Sequence, residues 1–241
     1  MNAIEMQSLT KKYGKVTAVD NLSLTIEQGE LFSLLGVNGA GKTTTIKMLS
    51  CLIKPTGGDA VLLGDSVKER SQVIKGKINI SPQETAVAAN LSVIENLELI
   101  AGIYGQDSKS AKKSADGIAS QFGLDGVRKK KTKQLSGGMQ RRLSIAMALI
   151  SNPQILFLDE PTLGLDVLAR RELWASIGAL KGKVTIILTT HYLEEAEALS
   201  DRVGIMANGK LTAVGTVAKL TEQTGTNKLE DAFIILAGGV V

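Results

Sequence analysis

Cysteine, histidine and aromatic side chains are scarce in this 241-residue chain. The single cysteine, Cys51, excludes an intrachain disulfide and suits a reducing compartment. Its position implies a small buried residue on a helix rather than a reactive thiol. Aromatics make up only 3% of the chain, which argues against an aromatic-rich nucleic-acid platform. No run approaches the ~18 apolar residues a membrane span needs, and Met1-Asn2-Ala3-Ile4-Glu5 lacks the basic-then-apolar order of a signal peptide. Net charge is a mild +4, with basic residues bunched at Lys109 to Lys113 and Arg128 to Lys133. Such runs read as solvated faces, with contact to anionic lipid or nucleic acid as the alternative. No sustained heptad is present.

What the chain does have is 44% apolar residues and 25 glycines, a mixture suited to an α/β protein with many tight strand-to-helix loops. The length suits one compact unit over residues 1–241 with a proper core. Within it, Gly36-Val37-Asn38-Gly39-Ala40-Gly41-Lys42-Thr43 fits G-x-x-x-x-G-K-[ST]. An apolar strand, Leu31 to Leu35, leads in, and a helix from Thr44 to Leu52 leads out. Glycines let backbone N–H groups approach a phosphate chain, and the helix N-terminus adds a favourable dipole. Lys42 is placed to reach the β- and γ-phosphates, and Thr43 and Asp159 to hold Mg²⁺.

Asp159-Glu160 closes the buried strand Ile155 to Leu158. Two adjacent carboxylates at such a strand end are costly without compensation, and a metal with its water supplies it. Glu160 then faces the attacking water. A further buried strand, Val184 to Thr189, leads to His191, the one histidine, at the strand edge where parallel sheets place ligands; a purely structural role is equally open. Leu135-Ser136-Gly137-Gly138-Met139-Gln140 opens a helix with Ser136 as N-cap, either an ordinary capped start or a second anion site. Asp166 caps another helix, running through Leu180.

Ile4, Met6 and Leu9, then Leu22, Leu24 and Ile26, alternate as two half-buried strands around a turn at Lys11 to Lys15. Tyr13 in that turn is a surface tyrosine or a ring that stacks on a base. Strands follow at Ala60 to Gly64 and Gly76 to Ser81. Ser92 to Glu95 matches the capping box, and a second helix covers Ser110 to Phe122. Residues 84–150 therefore read as a wholly helical lobe. Asn227-Lys228-Leu229-Glu230 comes near the guanine-reading N-K-x-D, but lacks the aspartate and a preceding apolar strand, which weighs against a GTPase or a small-molecule kinase.

Together, Gly36 to Thr43, Gln83, Leu135 to Gln140, Ile155 to Glu160, Gly164-Leu165-Asp166 and His191 resemble, in identity, order and spacing, an ATP-binding cassette (ABC) ATPase. The resemblance covers about Leu9 to Gly215. It implies a P-loop NTPase core with a mostly parallel sheet, an antiparallel β-subdomain and the inserted helical lobe. It also implies ATP and Mg²⁺ as cofactors. Tyr13 would stack on adenine, and Gly36, Asn38, Gly39, Ala40, Gly41, Lys42, Thr43 and Thr44 would hold the phosphates. Gln83 would sense Mg²⁺ and the γ-phosphate, His191 would contact that phosphate, and Glu160 would polarise water, with Lys42 and His191 completing the catalytic set. Ser136, Gly137 and Gly138 would grip the ATP of a second subunit, with Asp166 coupling the two sites, which implies a head-to-tail dimer.

Val37 stands where the family often has proline. The tail from Lys210, including Leu229 to Phe233, resembles the C-terminal segment of the bacterial drug, sodium and antibiotic efflux branch. The expected role is the soluble ATPase subunit of an exporter, peripheral at the inner face of the cell membrane, with a separate transmembrane permease and no nucleic acid. The alternative is a cassette acting on ribosomes or DNA. Such cassettes commonly come two to a chain or carry a long coiled-coil insertion.

Overall fold

The computed structural model describes residues 1–238, so residues 239–241 of the expected C-terminal segment lie outside the described residues. Period-2 alternation produces the first sheet. In strand β1 (Asn2–Tyr13), Ile4 and Leu9 are buried and pair with Ile26 and Leu22 of antiparallel β2 (Val16–Glu27). Strands β4 (Gly57–Leu62) and β5 (Asp65–Ser66) complete a four-stranded sheet in the order β2-β1-β4-β5. The strand extends through Lys11 to Tyr13, so the expected five-residue turn shrinks to Gly14 and Lys15. The ladder continues to Tyr13↔Val16, and Gly14 alone takes the left-handed φ of 57°.

The second sheet has six strands. They are β3 (Leu31–Leu35), β6 (Ile78–Ser81), β7 (Ile155–Asp159), β8 (Thr185–Thr190), β9 (Arg202–Ala207) and β10 (Lys210–Gly215), in the order β10-β9-β3-β8-β7-β6. All pairings are parallel except that of β10 with β9. Every residue of β3, β7 and β8 is buried, which is why these strands read as continuous apolar runs. Successive residues of β7 serve two cores. Leu156 and Leu158 pack with Leu97, Leu143 and Leu188. Ile155 and Phe157 pack with Ile4, Phe32 and Ile187 between the sheets.

Helix α1 (Lys42–Leu49) follows β3, and a short α2 (Ser71–Lys75) precedes β6. Cys51 lies beyond α1, with φ 58° and half-buried, rather than on the helix. Burial pushes its thiol pKa up, which favours the protonated form over the nucleophilic thiolate. Helix α3 (Val93–Ile103) starts at the capping box: the Ser92 hydroxyl accepts from Glu95 N and the Glu95 carboxylate accepts from Ser92 N. Helices α4 (Ser108–Gln121) and α5 (Gly137–Leu149) follow.

The stretch before Ser92 is not helical. Buried Asn96 pins it instead, accepting from Ala88 N at 2.8 Å and donating to Ser92 O and Thr132 Oγ1 at 2.9 Å each. Helices α6 (Val167–Gly178), α7 (Leu193–Leu199), α8 (Val217–Thr224) and α9 (Leu229–Leu236) complete the described chain. Lys228 sits at the start of α9, so Asn227 to Glu230 forms a helix entry rather than a loop at the parallel strand ends.

Parallel register sets what comes next. Leu35 is level with Thr190, Asp159 with Thr189, and Ser81 with Leu158. The segments leaving β3, β6, β7 and β8 therefore emerge at one edge of the sheet.

Candidate functional site

At that edge is a cleft of about 430 Å³, within the range of small-molecule sites. Asn38, Gly39, Ala40, Gly41, Lys42, Thr43 and Thr44 form one wall, and Gln83, Glu160 and His191 face them. Four segments far apart in sequence thus converge. No side chain caps α1, so the N–H groups of its first turn are left for an outside acceptor.

The glycines do more than clear the cleft. A Cβ on Gly41 would lie 2.5 Å from Ala18 O, and its φ is 103°; a Cβ on Gly36 would lie 2.5 Å from Met206 O. Their missing side chains are demanded by protein backbone packed against the loop. Glycine at 36 and 41 is thus a requirement of the fold as well as of ligand approach.

Lys42 is 5% exposed. Its ammonium donates to Gly36 O at 2.6 Å and Val37 O at 3.2 Å, and lies 3.5 Å from Glu160 Oε1. Burial pulls its pKa below the ordinary value, against the opposing pull of Glu160. Thr43 Oγ1 donates to Asp159 Oδ1 at 3.2 Å, and Thr189 Oγ1 donates to the same oxygen at 2.5 Å. The hydroxyl and carboxylate expected to share a cation are therefore neighbours. Gln83, the third expected ligand, is on the cleft wall.

Glu160 holds a left-handed backbone, φ 49°, uncommon outside glycine. Its N–H donates to Thr189 O and Thr189 Oγ1, both at 3.1 Å, fixing that turn against β8. The turn aims the carboxylate at the cleft, where Oε2 meets His191 Nδ1 at 2.6 Å.

Other expected site residues stand elsewhere. Tyr13 is half-exposed at the end of β1, with Lys11 Nζ 5.2 Å from its ring centre. Ser136 caps α5 by accepting from Met139 N, and Asp166 caps α6 by accepting from Ala169 N at 2.9 Å. A Cβ on Gly138 would lie 3.0 Å from Ala169 Cβ, so these two helix starts are packed together. Tyr13, Ser136, Gly137, Gly138 and Asp166 do not line the cleft formed by 38–44, Gln83, Glu160 and His191. Arg128, counted above with the basic run, is paired with Asp116 and Asp125, which leaves the neighbouring lysines as the exposed part of that run.

Sequence reading missed three supporting residues. Thr189 is a polar residue within a wholly buried strand. Glu195 of α7 is fully buried; burial pushes its carboxyl pKa up, and the Trp174 indole N–H, 3.1 Å from Oε1, opposes that. Arg141 of α5 is 4% exposed and surrounded by carbonyl acceptors. The available signal was spacing, because Arg141 shares a helix face with Ile145 and Ala148, an apolar one.

The family model described as "ABC transporter" matches residues 19–163. Over 239 residues the chain is 40% identical to the probable multidrug ABC transporter ATP-binding protein YbhF of Escherichia coli, covering 97% of this chain and 41% of that protein. It therefore spans about two fifths of that relative's length. It is 39% identical over 228 residues to the daunorubicin/doxorubicin resistance ATP-binding protein DrrA of Streptomyces peucetius, covering 94% of this chain and 69% of that one.

A solved ATP-binding subunit of an ABC transporter superimposes with a TM-score of 0.86 at 28% identity, covering 97% of this chain and 99% of the other. A dimeric ATP-binding cassette in a post-hydrolysis state, bound to ADP and Pi, gives 0.79 at 28% identity, over 88% and 98%. With the parallel sheet, the loop 36–43 and the paired carboxylates in place, the chain belongs to the ABC transporter family, and its fold is that of the family's ATP-binding cassettes.

Proposed function

We propose that this chain binds and hydrolyses ATP as the energy-supplying subunit of an exporter, working at the inner face of the cell membrane on a separate permease. One observation carries the reading: Lys42, Thr43, Glu160, His191 and Gln83 converge at a single sheet edge, on a helix start that no side chain caps. A triphosphate fits that edge. Loop N–H groups and Lys42 take its charge, Glu160 orients a water toward the terminal phosphate, and His191 holds Glu160 in place while contacting that phosphate.

Mg²⁺ fits the donor set next to it. Thr43 Oγ1 and Asp159 are hard oxygen donors already in contact, with Gln83 opposite. Among the described residues no group of three or more His, Cys, Asp or Glu side chains gathers to cage a metal. This matches the magnesium habit of using one or two carboxylates plus substrate phosphates. When bound, the ion would neutralise charge on the phosphates.

The site is read as half of a larger one. Ser136, Gly137, Gly138 and Asp166 stand away from the cleft with two helix starts side by side, an arrangement suited to closing over the ATP of a second copy. Tyr13 is assigned to the adenine. The related dimeric cassette supports such a homodimer. A separate permease is supported by the relative named as a daunorubicin/doxorubicin resistance ATP-binding protein. The part of the helical lobe near Gln83 to Ile103 is assigned to pass motion to the permease. Half-exposed Tyr104 and partly buried Ile100 border a groove with Pro82 and Met147 there.

Glu160→Gln tests the reading. It should lower Mg²⁺-ATP hydrolysis by roughly 10²- to 10⁴-fold and yield ATP-stabilised dimers by size-exclusion chromatography. A variant that stays monomeric with ATP, or keeps full turnover, rules the mechanism out.

A further inference from the structure

Arg141 holds three segments at once. Its guanidinium donates through Nε to Pro161 O at 2.8 Å and through Nη2 to Asp159 O at 2.8 Å. Through Nη1 it donates to Pro82 O and, at 3.2 Å, to Gln83 O. The first pair brackets Glu160, and the second is the backbone leading into and carrying Gln83. The side chain itself springs from α5, about one turn past Gly137.

Burying a guanidinium is unfavourable unless its donors are satisfied, and here carbonyl oxygens satisfy all three nitrogens. Arg141 makes no ion pair within 4 Å among the described residues. Burial lowers its pKa to about 10, so it remains charged at neutral pH.

The rest of α5 is fastened just as firmly. Gln140 Nε2 donates to Thr132 O and Leu135 O, each at 3.2 Å, which ties the segment preceding Ser136 to the helix. Ser144 Oγ meets Ser81 Oγ at 3.1 Å at the end of β6. The helix start bearing Ser136 to Gly138, the Gln83 backbone and the Glu160 turn are thus bridged by one side chain in a packed interior, where small displacements are transmitted rather than absorbed.

We infer that Arg141 is the positioning residue that ties the Ser136–Gly138 helix start to the Gln83 and Glu160 backbone of the same chain. Engagement of a second subunit's nucleotide at that helix start is then felt at this chain's own hydrolytic site. The inference rests on the function proposed above. Arg141 does not line the cleft, so it acts on turnover and not on the phosphate-binding loop. Lysine cannot replace it, because one ammonium cannot reproduce the planar fork that reaches carbonyls in both segments at once.

The test uses the full chain carrying Arg141→Gln or Arg141→Lys. The readouts are kcat and KM for Mg²⁺-ATP, the Kd of trinitrophenyl-ATP, and thermal unfolding. The expected result is a fold-preserving loss of kcat of roughly 10- to 100-fold in both variants. KM and probe Kd should stay within about twofold, the signature of a group acting only on the chemical step. Three results overturn the inference: turnover within about twofold of the parent, probe affinity falling in step with kcat, or failure of both variants to fold, which would make Arg141 a structural anchor. A parent chain that does not hydrolyse ATP removes the functional reading itself; parent turnover alongside unimpaired variants removes this inference alone.

Discussion

Glu160 Oε2 and His191 Nδ1 stand 2.6 Å apart, joining the turn after β7 to the segment after β8, while Oε1 of the same carboxylate lies 3.5 Å from Lys42 Nζ. One side chain thus bridges two groups assigned to the terminal phosphate. Groups that work as a unit give non-additive losses. Glu160→Gln and His191→Ala should each reduce ATP turnover by roughly 10²-fold or more, and the double variant should be little worse than the poorer single. Phosphate-release assays on the three proteins decide this. Losses that multiply would mean that the contact does not couple the two residues.

The loop glycines should divide by what surrounds them. At Gly41 a methyl group would meet Ala18 O at 2.5 Å on a backbone with φ 103°, whereas at Gly39, φ 83°, nothing lies within 4 Å. Gly41→Ala should therefore destabilise by about 2–4 kcal/mol, combining backbone strain with overpacking. Gly39→Ala should lose only about 1–2 kcal/mol from the left-handed conformation. Thermal melts without nucleotide are the measurement. Equal shifts would show that Ala18 and Met206 give way.

Much of this arrangement was legible because the informative segments are local. Leu31 to Thr43 announces strand, loop and helix within thirteen positions, and Ile155 to Glu160 announces a buried strand with a polar tip. Strands such as β9 were harder. Its neighbours in the parallel sheet, Leu31 to Leu35, are remote in sequence, and the one local marker, the two-residue Asn208-Gly209 turn with both φ positive that joins Arg202–Ala207 to antiparallel Lys210–Gly215, went unread. Arg141 escaped notice because its partners are carbonyl oxygens, which every residue has. No residue type marks Pro82, Asp159 or Pro161 as an acceptor until the chain has folded. The expected turn at Lys11 failed for a related reason: cross-strand pairing with β2 overrides the local polarity of Lys11-Lys12.

Asp159 and Thr43 should separate metal affinity from nucleotide affinity. Both contribute oxygen to one point, Asp159 Oδ1 accepting from Thr43 Oγ1 at 3.2 Å, but Asp159 lies outside the loop assigned to the phosphates. Asp159→Asn should raise the Mg²⁺ concentration for half-maximal hydrolysis by roughly 10-fold or more. Trinitrophenyl-ATP binding in EDTA should change by no more than about twofold. A variant with unchanged magnesium dependence would exclude Asp159 as a ligand.

Glu195 supplies the pH-dependent prediction. It is fully buried, with the Trp174 indole of α6 donating to it, and burial holds its folded pKa above the ordinary 4.5 against the opposing pull of Thr190, Thr162 and Trp174. As pH rises past 4.5 the unfolded chain releases this proton first, so the folded state binds more protons and stability falls. The loss is complete once pH exceeds the folded pKa, and below 4.5 it vanishes because both states are protonated. Glutamine keeps the shape and the acceptor for Trp174 without a charge to bury. The melting temperature of Glu195→Gln minus that of the parent should therefore climb between pH 4.5 and the folded pKa, then level off. A difference that stays flat, or that falls with pH, would mean that the carboxylate is compensated within the fold, with Arg141, whose pKa Glu195 raises, as the candidate cation.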